Sequence, residues 1–431
     1  MKKSFLKKTS LFLFFILPLS LWGQKSAYQN SNPNIKDDGK AVKLEFKYQK
    51  DDSYRIHSTV DEDVYVNTKF DHSSTIVNRV SVKVKEVNGK SALHDVTFMT
   101  SEESSMAVSG KTYSWGKEYQ SFLTKNNLGV YTIDEEYFMP TVRDVPTFPD
   151  KKVKAGDTWT ADGQEAHDLR QGFGLEKPYI VPFTAKYTYK GYVEEDGKRL
   201  EVIQCTYNLY MESPEYTNTS PYYIEYPVMT MGFSDEEIYF DNEKGMISHY
   251  TEKFRIIMET VYGGIYEFTG TAHSEVSDLV RTATEEGVKN VQEKIENLEL
   301  ENVTVTKGEK GLTIALEKIQ FEAESALLKK EEQEKIKKIS EILKLYPDND
   351  ILVVGHTALS GTAKSRQSLS EERAQAVANY LIKLGVKDKY HIFTQGMGSL
   401  QPLADNYKAD GSPDREGMAR NRRVEIIILD K

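Results

Sequence analysis

Ile351-Leu-Val-Val-Gly-His-Thr357 is followed by Leu369-Ser-Glu-Glu-Arg-Ala374 and then by Asn421-Arg-Arg-Val-Glu425. The first segment is a continuous apolar run ending in Gly355-His356-Thr357, as expected of a strand buried on both faces. The second places Ser370 ahead of two glutamates, with Ala374, Val377, Leu381 and Leu384 at helical spacing. It predicts a helix over Ser370–Leu384, with Ser370 as N-cap, Glu371 and Glu372 at the positive end of the dipole, and Gly385 just past the end. The third is a basic turn leading into a terminal apolar strand, Val424–Leu429. Working outward, Gly311–Leu316 reads as a strand and Tyr390–Gln395 as another. Glu331–Tyr346 reads as a helix with Ile336, Ile339, Leu343 and Tyr346 on one face, stopped by Pro347. Residues 301–431 are therefore expected to form an α/β sandwich of βαβαββ type with its helices on one face.

Three separated motifs in this order are more specific than any one of them. Together they resemble the C-terminal domain of the OmpA-like family, shared with peptidoglycan-associated lipoproteins and flagellar stator proteins. The resemblance covers roughly Gly311–Lys431. It implies a site where the end of the second strand meets the start of the second helix, in keeping with ligands at the carboxyl ends of strands. In the family this site grips diaminopimelate in the peptide stem of peptidoglycan, reading its carboxylate with an arginine and its ammonium with an aspartate. A planar guanidinium suits the first task and a carboxylate the second. Carried over residue by residue, the arginine is Arg373, fifteen residues after position 358. Arg422, within Asn421-Arg-Arg423, matches a second residue near the ligand. Thr357 would donate through its backbone or its hydroxyl.

Two positions depart from the family. Its Gly-His-Thr-Asp pattern ends here in Ala358, and the asparagine of its Asn-x-x-Leu-Ser pattern is here Arg366. Loss of an acceptor for an ammonium costs about 1.5–3 kcal/mol, or roughly 10- to 150-fold in affinity. Arg366 adds a positive charge where the ammonium would sit. The expected partner is thus a peptidoglycan stem peptide bound weakly or in altered form, or a protein of the envelope. A plainer reading of Arg373 is a local ion pair with Glu371, Glu372 or another carboxylate, because a cation in the first turn of a helix is unfavourable without an anion beside it.

The remainder of the chain is read from its residues alone. Lys2, Lys3, Lys7 and Lys8 precede the short apolar run Leu11–Trp22, the pattern of a signal peptide over residues 1–23. Export to the periplasm or to the periplasmic face of the outer membrane is the expected location. Residues 24–40 are polar and read as a flexible leader. Residues 41–280 alternate at period two, as in Lys43-Leu-Glu-Phe-Lys-Tyr48 and Lys186-Tyr-Thr-Tyr-Lys-Gly-Tyr192. Asn88-Gly89 and Asp196-Gly197 are hairpin signals, since both positions of a type I′ turn need positive φ. An antiparallel all-β domain follows, as a sandwich or open barrel, with a division into two subdomains at 146–155 as an alternative. Its strands carry Lys or Glu on one face and its loops are long and Pro-rich, which argues against a membrane barrel. Residues 281–300 form an amphipathic connector helix through Val288, Val291, Ile295 and Leu298.

The single cysteine, Cys205, alternates with apolar neighbours and reads as a core residue. A net charge of −10 disfavours nucleic acid as a partner. The eight histidines show no metal-ligand spacing, and no nucleophile elbow or phosphate loop is present. The sequence therefore gives no reason to expect an enzyme, a cofactor or a metal. His356 reads as structural. A ligand of the β domain is a further alternative, with the C-terminal domain as its tether.

Overall fold

A computed structural model describes residues 34–103, 113–213, 225–278, 282–321, 326–389 and 391–430. The expected signal peptide lies outside the described residues. The chain divides into two compact units, one comprising residues up to Thr100 with Glu118–Ser277, the other Ser101–Lys117 with Asp278–Lys431.

The first unit holds all or most of β1 (Ser53–Val66), β2 (Lys69–Asn88), β3 (Ser91–Glu103), β4 (Tyr113–Asn126), β5 (Tyr131–Ile133), β6 (Val142–Arg143) and β7 (Thr158–His167). After a short helix α1 (Arg170–Phe173) come β8 (Tyr179–Glu195), β9 (Lys198–Glu212), β10 (Pro227–Asp241), β11 (Met246–Thr260) and β12 (Ile265–Asp278). Successive strands pair antiparallel from β6 to β12. β12 pairs back with β1, and β1 with β2. The two ends of this meander approach each other: Tyr131 N donates to Asp144 Oδ1 at 2.6 Å, and Ser121 Oγ to Met139 O at 2.7 Å. The result is a nearly closed barrel, which leaves few unpaired edges.

The turns form where Gly and Asp make them possible. Asp196 and Gly197 both have positive φ, 48° and 75°, between β8 and β9. One cluster fills most of the interior. It joins Leu44 and Val60 to Val181 and Phe254, and includes Phe148 and Val153 of the expected 146–155 division. Phe46, Phe148 and Phe240 meet at centroid distances of 4.8–5.3 Å, pairings worth about 0.5–1.5 kcal/mol each beyond their burial. Cys205 is fully buried in this cluster and free.

Part of the expected flexible leader is ordered against the barrel. Lys36 pairs with Tyr192 through both backbone groups, at 2.7 and 2.9 Å. Ile35 packs on Val193 and Leu200. Gly191 permits this approach, since a Cβ there would stand 2.3 Å from Lys36 O. A polar composition therefore did not mean freedom: one isoleucine and one glycine opposite it dock the segment.

The second unit contains α2 (Glu285–Asn297), β13 (Val303–Lys307), β14 (Gly311–Glu317), α3 (Lys330–Leu343), β15 (Ile351–Gly355), α4 (Ala363–Lys383), β16 (Ile392–Gly396), α5 (Arg415–Asn421) and β17 (Arg423–Leu429). The sheet runs β13-β14-β17-β15-β16, antiparallel except for the parallel pair β15–β16. Val291 and Ile295 of α2, Ile336 and Ile339 of α3, and Val377 and Leu381 of α4 share one core with Leu312, Val353 and Ile426 of the sheet. Burying each such side chain contributes about 1.5–3 kcal/mol. No helix among the described residues is long and apolar enough to cross a membrane.

One boundary differs from the sequence reading. Helix α4 begins at Ala363, capped by Thr362, whose Oγ1 accepts from Ser365 N at 3.1 Å. Ser370 is not its N-cap. It lies two turns inside, fully buried, with its hydroxyl donating to Gln367 O at 2.7 Å and accepting from Gly398 N at 2.9 Å.

Candidate functional site

The apolar run of β15 ends at Gly355, where strand and helix touch. A Cβ on Gly355 would stand 2.1 Å from Ser370 O, and one on Gly396 would stand 2.6 Å from Ser370 Oγ. Small residues are thus required at both strand ends for α4 to lie across them. Beyond Gly355 the chain turns back into backbone bonds: His356 N donates to Arg423 O at 3.0 Å, and Thr357 N to Gly398 O at 2.7 Å. The backbone of Thr357 is therefore already engaged. Its hydroxyl is buried and has no hydrogen-bond partner among the described residues.

Asn421 is a structural post. Its side-chain carbonyl accepts from Leu403 N at 2.7 Å and Ala404 N at 3.0 Å, and its amide donates to Ala404 O at 2.7 Å. It also donates to Asn406 Oδ1 at 3.1 Å, while Asn406 Oδ1 accepts from Leu359 N at 3.0 Å. In this way the loops after β15 and β16 are fixed to the end of α5. Spacing alone could not have shown this role, because the partners lie in a loop of unrelated sequence.

His356 is buried, with Nε2 3.6 Å from Glu425 Oε1. Burial lowers its imidazole below the ordinary value, against the raising influence of Glu425. Burial alone would raise the Glu425 carboxyl, but His356 and the Arg423 guanidinium overcome this and hold it at about 2. Arg423 Nε donates to Glu425 Oε1 at 2.7 Å, and its Nη1 to Gln401 O at 3.0 Å. This trio supports the strand end from behind.

The arginines are treated differently. Arg373 lies well inside α4, not in its first turn, so the dipole argument made from sequence does not apply. Its Nε is buried without a hydrogen-bond partner among the described residues. Its guanidinium lies 4.7 Å from the centroid of Phe321, a cation–π contact that no sequence spacing announced. Burial lowers its pKa, the nearby charge of Arg422 lowers it further, and Glu372 opposes both. The expected local ion pair does not form. Glu371 Oε1 instead accepts from Gln367 Nε2 at 2.7 Å, and Glu372 Oε1 from Ser368 Oγ at 3.0 Å. Arg422 is exposed. Arg366 caps its own loop, with Nη1 donating to Gly361 O at 2.5 Å. Ala358 is almost fully buried and presents only a methyl group.

The arrangement has two neighbouring guanidiniums, one of them half-buried on an aromatic ring. It can take up a carboxylate. Among its named residues there is no acidic side chain at position 358 to accept from an ammonium.

Residues 320–416 match the model of the OmpA family. The chain is 37% identical over 109 residues to outer membrane protein A of Bordetella avium, covering 25% of this chain and 53% of that one. It is 37% identical over 110 residues to the peptidoglycan-binding protein ArfA of Mycobacterium bovis, covering 26% and 32%. It is 31% identical over 159 residues to motility protein B of Bacillus subtilis, covering 35% and 59%. The chain thus spans less than two thirds of the length of these relatives. The part of this chain from residue 320 to residue 416 is an OmpA family domain.

Proposed function

We propose that this chain is a non-enzymatic envelope protein that scaffolds the outer membrane and the cell wall. In this reading its C-terminal site takes a peptidoglycan stem peptide through a carboxylate, weakly or in altered form. The observation that carries the reading is Arg373, buried at Nε without a partner and set beside Arg422. A half-buried guanidinium that its own protein meets only with a ring keeps a desolvation cost, and an anionic ligand would relieve that cost. The names of the relatives, an outer membrane protein and a peptidoglycan-binding protein, support the setting. Ala358 supports the weakening, since the ammonium of a diaminopimelate end would be buried without an acceptor.

Co-sedimentation with purified peptidoglycan tests this. The unaltered chain is expected to pellet weakly and Ala358→Asp strongly. Saturable micromolar binding by the unaltered chain would overturn the proposed weakening.

A second reading, a scaffold for a protein partner, is favoured by exposed Leu359, Leu400, Leu403 and Tyr407 on the loops around the site. It predicts that Ala358→Asp gains nothing on the wall.

A further inference from the structure

The barrel interior is not completely filled. Two cavities of about 190 and 160 Å³ lie within the first unit. They share walls at Ile56, Val80, Phe98, Tyr131, Ile247 and Tyr250, so they adjoin as two lobes. Protein interiors hold few voids larger than a water, and an apolar cavity of about 150 Å³ already takes up benzene. Two adjoining lobes of this size suit a molecule longer than one compact ring. The first lobe is rimmed by Lys47, Asp52 and Lys244, all exposed, which gives it an entrance.

The charged groups are placed unevenly along this space. Lys125, on β4, lines the first lobe. Its Nζ lies 3.7 Å from the centroid of Phe46 and 4.9 Å from that of Tyr131, and makes no ion pair among the described residues. Burial lowers its ammonium to about 7, against the raising influence of Asp144. His94 in the same lobe is lowered by burial to about 4 and is neutral at pH 7. The second lobe is lined by Glu236 and Glu252, which face each other across β10 and β11. Glu252 accepts from Ser234 Oγ at 2.6 Å. Burial raises both carboxyls; Glu165 and Asp235 add to it at Glu236, which is raised to about 8, and Glu236 and Glu165 add to it at Glu252. Burial thus favours the neutral form of both carboxyls of the second lobe, while the cation of the first lobe faces rings.

From this geometry we infer that the barrel cavity binds an elongated apolar molecule with one anionic end, of the fatty carboxylate kind. Its carboxylate would lie on Lys125 and its chain would run past Val80 and Phe98 towards Glu236 and Glu252. The inference does not rest on the C-terminal site.

The test uses the full chain and the fluorescence of a dansylated undecanoate. Saturable uptake is expected, displaced by dodecanoate at least about tenfold more tightly than by dodecanol. Lys125→Met should abolish that preference and leave dodecanol unchanged. Val80→Trp, which fills the shared wall, should abolish both. Should either variant fail to melt cooperatively, the dodecanoate-to-dodecanol ratio on the unaltered chain decides. No saturable uptake, equal displacement by acid and alcohol, or an acid preference that survives Lys125→Met would overturn the inference.

Discussion

Arg373 and Glu425 are two charged residues of one domain in opposite energetic positions. Glu425 is satisfied on two sides, by His356 and Arg423. Its carboxyl is depressed from 4.5 to about 2. A depressed carboxyl contributes stability that is present above the unfolded value and lost as pH falls towards the folded one. The C-terminal unit should thus lose ~2–3 kcal/mol between about pH 4.5 and pH 2. Urea titrations at stepped pH should show this slope, and Glu425→Gln should flatten it. His356, lowered by burial, acts in the same direction: its neutral form is the folded one, so stability begins to fall below its ordinary value of 6.5. Arg373 is the reverse case, a cation with a buried Nε left unpaired. Arg373→Met should leave the unfolding free energy unchanged or raise it by ~0.5–1 kcal/mol while removing wall binding, the trade expected where a site is strained for its ligand. A loss of several kcal/mol would instead make Arg373 structural. The sequence singled out Arg373 but not its ring partner, and Glu425 only as part of its motif; Arg423 is close to Glu425 in sequence, whereas Phe321 and His356 reach these residues through the fold.

At the scale of elements, the strand–helix junction is the part most exposed to substitution. Gly355→Ala would drive a methyl group into Ser370 O, a backbone atom. β15 and α4 would have to separate, at ~1–3 kcal/mol, and the loop carrying Thr357 and the first turn of α4, with Arg366, would move with them. Chemical denaturation measures the first effect, and amide exchange at Gly398 the second. The helix start shows why pattern alone fell short. Ser370-Glu-Glu has the composition of a cap, and the turn before it, with Lys364, Ser365, Arg366 and Ser368, has no apolar period to mark it as helix. What makes that turn helical is Thr362 as the cap and the bond from Gly398 to Ser370, and the second is tertiary. The apolar runs Ile351–Val354 of β15 and Ile426–Leu429 of β17, by contrast, were legible because full burial leaves no polar residue in them.

On the scale of the whole molecule, alternation and turn residues were enough to expect an all-β unit. The pairing of β12 with β1 was not visible, because it joins strands some two hundred residues apart and no local signal records it. The cavity follows from that closure and was equally hidden, though Lys125 and the facing Glu236 and Glu252 are unusual for a barrel interior once it is known. Likewise, the order in residues 35–38 depends on Gly191 across the gap. The proposed scaffold role depends on the C-terminal site. The most direct measurement is calorimetric titration of the full chain with a soluble stem peptide ending in diaminopimelate, beside Ala358→Asp and Arg373→Met. The expected result is weak binding by the unaltered chain, a gain of about 10- to 100-fold with Ala358→Asp, and none with Arg373→Met. Saturable micromolar binding by the unaltered chain that Arg373→Met leaves intact would contradict it.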